Sequence, residues 1–426
     1  MCTNVLSIDW LSLYCHDEMC FRSTQKYDDD FQAFANRFYS ACREYEDAFD
    51  YSAQYAFDIA PIGYGSKVYA FGFDVHLIWR TSKYKFARVY MCPRSEVINA
   101  NSVSIKIENY MLYKFHHYNQ LSVIIDLMLR LLQFRFINVS RLDVCKDFHC
   151  FDNGMRVVDF IGAVSDGTIR RVTKNRAAKL ALVKGWNAKS GCYEWQSLRF
   201  GEHDSLLSAY VYNKSLEIAE VSHKDYIADF WRAAGLTENG SDVWRLEFSV
   251  DGEYLRNVTL DDVKSIPSIS VALSDVFVRS FFDLCLRKGF DMRFVDKEKR
   301  VGKWERLGLF SAEISEDVLN MSVDLSGKLL NSNRTDRIVL KYLAQLNCRA
   351  DVSGRYVTEL AGAAQELVPL LAAATHLSDW YRNKCLYWRT ENVPCNDKAA
   401  LAGSSSSNSG VSAIKYLKSN QLFDYE

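Results

Sequence analysis

The chain has 426 residues, 48% hydrophobic and 25% charged, and a net charge of −1. This is the makeup of an ordinary soluble globular protein with ample core, long enough for two or three domains or one large domain with an appendage. No apolar run approaches the roughly 20 residues of a membrane span, and so even a charge balance leaves the question of nucleic acid to local charge.

Residues 5–15 alternate as an opening strand that contains Ile8-Asp9-Trp10-Leu11. Phe31, Phe34, Phe38 and Cys42 are spaced for a helix over 29–49. Residues 68–79 and 86–92 read as strands around a Thr81-Ser82-Lys83 turn, and 103–107 as a further strand. Val123, Ile124, Leu127, Leu131 and Leu132 mark a helix over 120–134 that runs straight into Ser140-Arg141-Leu142-Asp143-Val144. A helix near 155–164 follows.

Then the charge changes. Residues 167–193 carry Arg170, Arg171, Lys174, Arg176, Lys179, Lys184 and Lys189 and no acid, with Trp186 and Tyr193 among them. Such a segment suits a phosphate backbone; the alternative is a solvated loop. Strands at 194–200 and 206–214 are joined through Gly201, a helix covers 225–234, a strand 243–250 and a helix 271–287. A second basic stretch, 287–306, has eight cations against four acids. This order of strands, hairpins and helices predicts an α+β fold, mostly antiparallel sheets with packed helices, over residues 1–310. A smaller helical C-terminal region is expected over 311–400, and a Ser/Gly linker (GSSSSNSG) and tail over 401–426.

Twelve cysteines include no Cys-x-x-Cys; the closest pairs, Cys15/Cys20 and Cys145/Cys150, are five apart. They read as free buried thiols of a reducing cytoplasm rather than a disulfide or zinc framework. The opening MCTNVLSIDW has no basic and apolar regions of a signal peptide, so a cytoplasmic location is expected.

Three strands share a pattern. Side chains alternate across a strand, so Arg141 and Asp143 lie on one face with Leu142 and Val144 on the other, and Arg245 and Glu247 oppose Leu246 and Phe248. In the 206–214 strand Ser208, Tyr210, Tyr212 and Lys214 share the polar face. Arg-x-acid twice plus Tyr-x-Lys would build a site for metal-assisted phosphoryl transfer to a tyrosine. The two Arg-x-acid strands read as coming from two related halves. The bland alternatives stay open: Tyr212 as a strand aromatic, and Asp143 and Glu247 as ion-pair partners of Arg141 and Arg245. His149 would share the face of Asp143 if the strand continued, and would be a third ligand.

Asp9-Trp10-Leu11, Arg141-Leu142-Asp143, the segment from Phe200-Gly201 to Tyr212-Asn213-Lys214, and Trp244-Arg245-Leu246-Glu247-Phe248 occur in an order and rough spacing that resembles the replication initiation factor family. These are rolling-circle initiators of small plasmids, filamentous phages and conjugative elements, and the resemblance covers about residues 5–310. It implies nicking of one DNA strand at an origin, single-stranded at the nick site, with a divalent metal, Mg²⁺ or Mn²⁺. On that basis Tyr212 looks like the nucleophile with Lys214 beside it, and Asp143 and Glu247 look like the metal carboxylates. Arg141 and Arg245 look like phosphate contacts, joined by Arg170, Arg171, Lys174, Arg176 and Lys179 in the basic segment. Tyr210 shares the face of Tyr212 and is the alternative nucleophile.

Attack by the phenol would leave a 5′-phosphotyrosine and a 3′-hydroxyl for a host polymerase. The chain has no Gly-x-x-x-x-Gly-Lys-Ser/Thr motif, so a host helicase would unwind the DNA. It also has no His-x-His pair, which argues against nicking enzymes that hold metal on two histidines. Relaxase action in conjugative transfer, or origin binding without catalysis, are the alternatives. A homodimer is left open, and no membrane partner is expected.

Overall fold

Strands that alternate polar and apolar residues leave one sheet face to be covered by something else, and helices cover it here. The structure is a computed structural model. It describes residues 4–310 and 321–323, apart from 25, 50–54, 96–97, 116–117, 173–179, 188–190, 203–204, 237–240, 261–262 and 265. The chain divides into two compact units, residues 1–94 with 100–324, and 95–99 with 325–426. The helices expected within 311–400 and the tail over 401–426 lie outside the described residues.

The first part of the chain runs β1 (Asn4–Asp17), α1 (Tyr27–Phe49), β2 (Tyr55–Pro61), β3 (Tyr69–Trp79), β4 (Ser82–Pro93), β5 (Ser102–Ile107), α2 (Asn109–Lys114) and α3 (Tyr118–Leu132). The second opens with β6 (Phe134–Phe148), α4 (Val157–Ser165), β7 (Ile169–Arg171), β8 (Leu180–Asn187), β9 (Cys192–Phe200) and β10 (Leu207–Asn213). It continues with α5 (Lys214–Glu217), α6 (Asp225–Ala233), β11 (Trp244–Asp251), α7 (Gly252–Leu255), β12 (Val258–Leu260) and β13 (Val263–Lys264). The last described elements are α8 (Ile269–Ala272), α9 (Asp275–Gly289), β14 (Met292–Phe294) and β15 (Met321–Val323). The fold is α+β, as the order of elements predicts.

Ten strands form one antiparallel sheet in the order β2-β3-β4-β5-β1-β6-β11-β10-β9-β8. The same connectivity occurs twice. In each half the first strand pairs with the last, and the strands between return as a meander. The two halves meet where β1 and β6 run antiparallel, with Leu11 opposite Leu142, so an approximate two-fold axis relates them. The Arg-x-acid strands are therefore not equivalent members of two halves. They are β6 and β11, the neighbouring first and last strands of one half.

On the apolar face Leu11, Leu13, Leu142, Val144, Leu246 and Phe248 are fully buried. Each such side chain stabilises the fold by roughly 1.5–3 kcal/mol relative to exposure. Phe34 of α1 meets Phe73 at 4.7 Å, and Phe282 of α9 meets Phe248 at 5.2 Å. Ser274 caps α9 by accepting from the Phe277 N–H, and Arg287 and Lys288 suit its C-terminal dipole. Gln133, with φ of 58°, takes the left-handed turn that leads α3 directly into β6.

Three local expectations change. Residues 180–187 form β8 within the segment read as basic or solvated, and β2 was not signalled at all. Lys214 begins α5 rather than ending a strand, because Asn213 accepts from the Leu216 N–H and caps a helical turn there. The helix read over 271–287 is two, α8 and α9, with the break at 273–274. Among the described cysteines Cys15, Cys145 and Cys285 are buried and Cys20 and Cys192 exposed. Among the described residues no helix is long and apolar enough to cross a membrane.

Candidate active site

Cross-strand register decides which polar residues meet. Arg245 lies opposite Asp147 on β6 and Tyr212 on β10, while Glu247 lies opposite Cys145 and Tyr210. Asp143, Asp147, Arg245, Glu247, Tyr210 and Tyr212 thus share the polar face. On β1 a bulge leaves Asp9 as an extra residue between the pairs Ile8–Val144 and Trp10–Asp143. A bulge re-aims a side chain, and Asp9 joins the same face.

At one end of this patch is a closed ion network. Arg245 is wholly buried, and its guanidinium donates to both oxygens of Asp147 at 2.7 and 2.8 Å and to Asp9 at 2.5 Å. Trp231 of α6 donates to Asp147 at 2.7 Å, and Tyr113 of α2 to Asp9 at 2.6 Å. Tyr226 of α6 holds Asn109, whose amide donates to the Asp9 carbonyl. Burial works to raise the Asp9 carboxyl, but Arg245, Lys214, the Tyr113 hydroxyl and Lys224 outweigh it and hold it well below the usual range. The reading of Arg245 as a phosphate contact is corrected here: its donors are spent on two carboxylates and no surface is left for DNA. Nor is it the partner of Glu247, since register gives it Asp147.

Beside the network lies the candidate chemistry. Tyr212, 8% exposed, donates to Glu247 Oε2 at 2.9 Å. Tyr210 stacks on Tyr212 with ring centroids 4.4 Å apart and is the more exposed of the two. Burial and then Glu247 push the Tyr212 phenol well above its ordinary range. Glu247 is pushed up to about 7 by burial and by the charges of Asp9 and Asp143. Lys214 is buried; its ammonium pairs with Glu217 at 2.7 Å and stands 5.4 Å from the Tyr212 ring centroid. Arg141 is part-exposed and binds Asp143 through two donors at 3.0 and 2.7 Å. The Asp143 carboxyl is raised, with burial outweighing that pair.

Asp143 and Glu247 present hard carboxylate oxygens of the kind Mg²⁺ and Mn²⁺ take. The crowding of like charge that raises Glu247 is what a divalent ion would relieve. Among the described residues no group of three or more His, Cys, Asp and Glu side chains is arranged around a metal position. Asp143 and Glu247 are the two carboxylates the face offers such an ion, and both Asp143 oxygens accept from Arg141. His149 is not the third ligand: β6 ends at Phe148, and the His149 ring turns to the carbonyls of Asp242, at 3.1 Å, and Leu236.

The basic segment is only partly described. Lys174, Arg176 and Lys179 lie outside the described residues. Arg170 is exposed, whereas Arg171 lies over the Phe200 ring at 4.6 Å and donates to the Gly289 carbonyl. β7 pairs with β14, with Arg170 opposite Arg293, so the two basic stretches meet. On the β8–β9 hairpin Trp186 and Tyr193 are 55% and 70% exposed and face each other at 5.5 Å.

Glu247 allows a stability test on metal-free protein. Its folded pKa lies above the unfolded value of 4.5, so the stability it contributes by holding a proton is full below about pH 4.5 and is lost as pH rises through about 7. Glu247→Gln keeps an acceptor for Tyr212 and carries no charge. Urea denaturation in chelator should find this variant more stable than the parent near pH 8, with the gap closing toward about pH 5. An equal gap at both pH values would show that Glu247 is not raised.

No family model matches this chain, and no curated protein matches it. Among solved structures it is similar to a rolling circle replication initiator protein from Geobacillus stearothermophilus, at 12% identity over 71% of this chain and 92% of that one, with a TM-score of 0.37.

Proposed function

We propose that this protein is a rolling-circle replication initiator that binds an origin and nicks one DNA strand through Tyr212. The observation that carries this reading is the hydrogen bond from Tyr212 to Glu247 on the polar face beside Asp143. A phenol with an ordinary pKa of about 10 is a weak nucleophile at neutral pH, and burial makes it weaker. A carboxylate near 7 in contact with the phenol is matched to accept its proton as the oxygen attacks. In that step Tyr212 Oη bonds to phosphorus and the P–O3′ bond breaks. The phenolic proton passes to Glu247, and the 3′-oxygen leaves as a hydroxyl with a proton from solvent. The phosphotyrosine ester conserves the bond, so the strand is rejoined by the reverse reaction without ATP.

Mg²⁺ or Mn²⁺ held by Asp143 and Glu247 would neutralise the scissile phosphate. Arg141 and Arg170 contact the DNA backbone, and Lys214 sets the field beside the Tyr212 ring. A host polymerase extends the 3′-hydroxyl and a host helicase opens the duplex.

The test is incubation of the full chain with supercoiled plasmid carrying the DNA that flanks its own coding region, in Mg²⁺ or Mn²⁺. Open-circular product and protein covalently joined to a 5′ end are expected. Intact plasmid, or nicking without any adduct, would overturn the reading.

A further inference from the structure

The polar face continues beyond the tyrosines into the first half of the sheet. Register places Arg88 on β4 opposite Lys106 on β5, Lys106 opposite Ser12 on β1, and Ser12 opposite Arg141 on β6. This row runs across four strands and ends at the residue that grips Asp143. Each member is half-buried, so the row forms an open floor. Trp10 stands in the middle. Its indole donates to Ser12 at 2.7 Å, the Lys106 ammonium is 3.5 Å from its ring centroid, and the Arg141 guanidinium 4.3 Å. Both cations are thus held in place before any ligand arrives.

Charge along the row is uneven. Arg88 is neutralised by Asp74 through two donors, and Arg141 by Asp143. Among the described residues Lys106 makes no ion pair. Burial lowers its ammonium; Glu108 opposes this, while Lys224, Arg141 and Arg88 add to it.

Resting on the nicking reading above, we propose that Lys106 and Arg141, braced by Trp10, form a subsite for the sugar–phosphate backbone of the single DNA strand that leads to Tyr212. A single strand suits a sheet floor, because it follows the surface and offers its phosphates and unpaired bases in turn. Tyr14 and Tyr90, which flank Ser104 in the next row of the same face, supply flat surfaces for bases.

The experiment is fluorescence anisotropy of a labelled mixed-sequence single-stranded oligonucleotide with the full chain, across a series of salt concentrations. Lys106→Ala should weaken binding about fivefold near 0.1 M salt and reduce the slope of log K against log salt by about 0.7, one phosphate contact on a single strand. Lys106→Arg should restore the slope, which a purely structural role would not require. A slope unaltered by Lys106→Ala overturns the subsite, and an equal loss with the matching duplex overturns the single-strand assignment. If the slope falls as expected but the parent protein never forms an adduct, the subsite stands and the nicking reading fails.

Discussion

Tyr212→Phe is expected to abolish the covalent protein–DNA adduct and to lower the nicking rate by about 10³-fold or more, while the protein still folds and binds DNA. The substitution removes one hydroxyl from a ring that stays stacked on Tyr210. The lost hydrogen bond to Glu247 should change stability by about 1–2 kcal/mol, since that carboxyl is near its own titration point and can remain protonated. Tyr210→Phe is the control, because it lies on the same face opposite Glu247 yet has no hydrogen bond to it. It should nick within a few-fold of the parent. If Tyr210→Phe loses the adduct and Tyr212→Phe keeps it, Tyr210 is the nucleophile. Normal cleavage by both variants and by the double variant would remove this patch from the chemistry.

The second large effect is on stability. Arg245→Met should destabilise the protein by about 3–5 kcal/mol in urea denaturation, because it leaves Asp9 and Asp147 buried without their cation. Arg245→Lys should recover only part of this, since an ammonium cannot bind both Asp147 oxygens as the planar guanidinium does. A loss below about 1 kcal/mol together with a flatter salt dependence of DNA binding would return Arg245 to the role of a phosphate contact.

Much of this architecture was legible in the residues because alternation is a local property. The strands holding Asp143, Tyr212 and Glu247, and the face each residue takes, follow from apolar neighbours at every second position. The partners were not legible, because they depend on register. Arg245 and Glu247 are two apart in sequence, yet Arg245 bonds Asp147, ninety-eight positions away. One signal was available: alternation on β6 continues from Arg141 and Asp143 through Cys145 to Asp147, beyond Val144. The part played by Asp9 depends on a bulge, and that of Trp231 and Tyr113 on helices packed over the sheet. None of these has a periodic signature. β8 escaped because Lys184 and Gly185 interrupt its pattern at the sheet edge, where a strand does not need a continuous apolar face.

The repeated connectivity also bears on how the chain reaches its folded state. Within each half the hairpins are local and fast to form, but β1 must find β5, and β6 must find β11, across segments on the order of a hundred residues. Each half can close its own meander before the other is present, which suits a chain emerging from the ribosome N-terminus first. The seam between β1 and β6 then joins two preformed pieces. Since Asp9 lies on one side of that seam and Asp147 and Arg245 on the other, the ion network completes only when the halves dock. The ion network is therefore among the last parts of the molecule to assemble, whereas Asp143, Tyr212 and Glu247 all lie on strands of the second half.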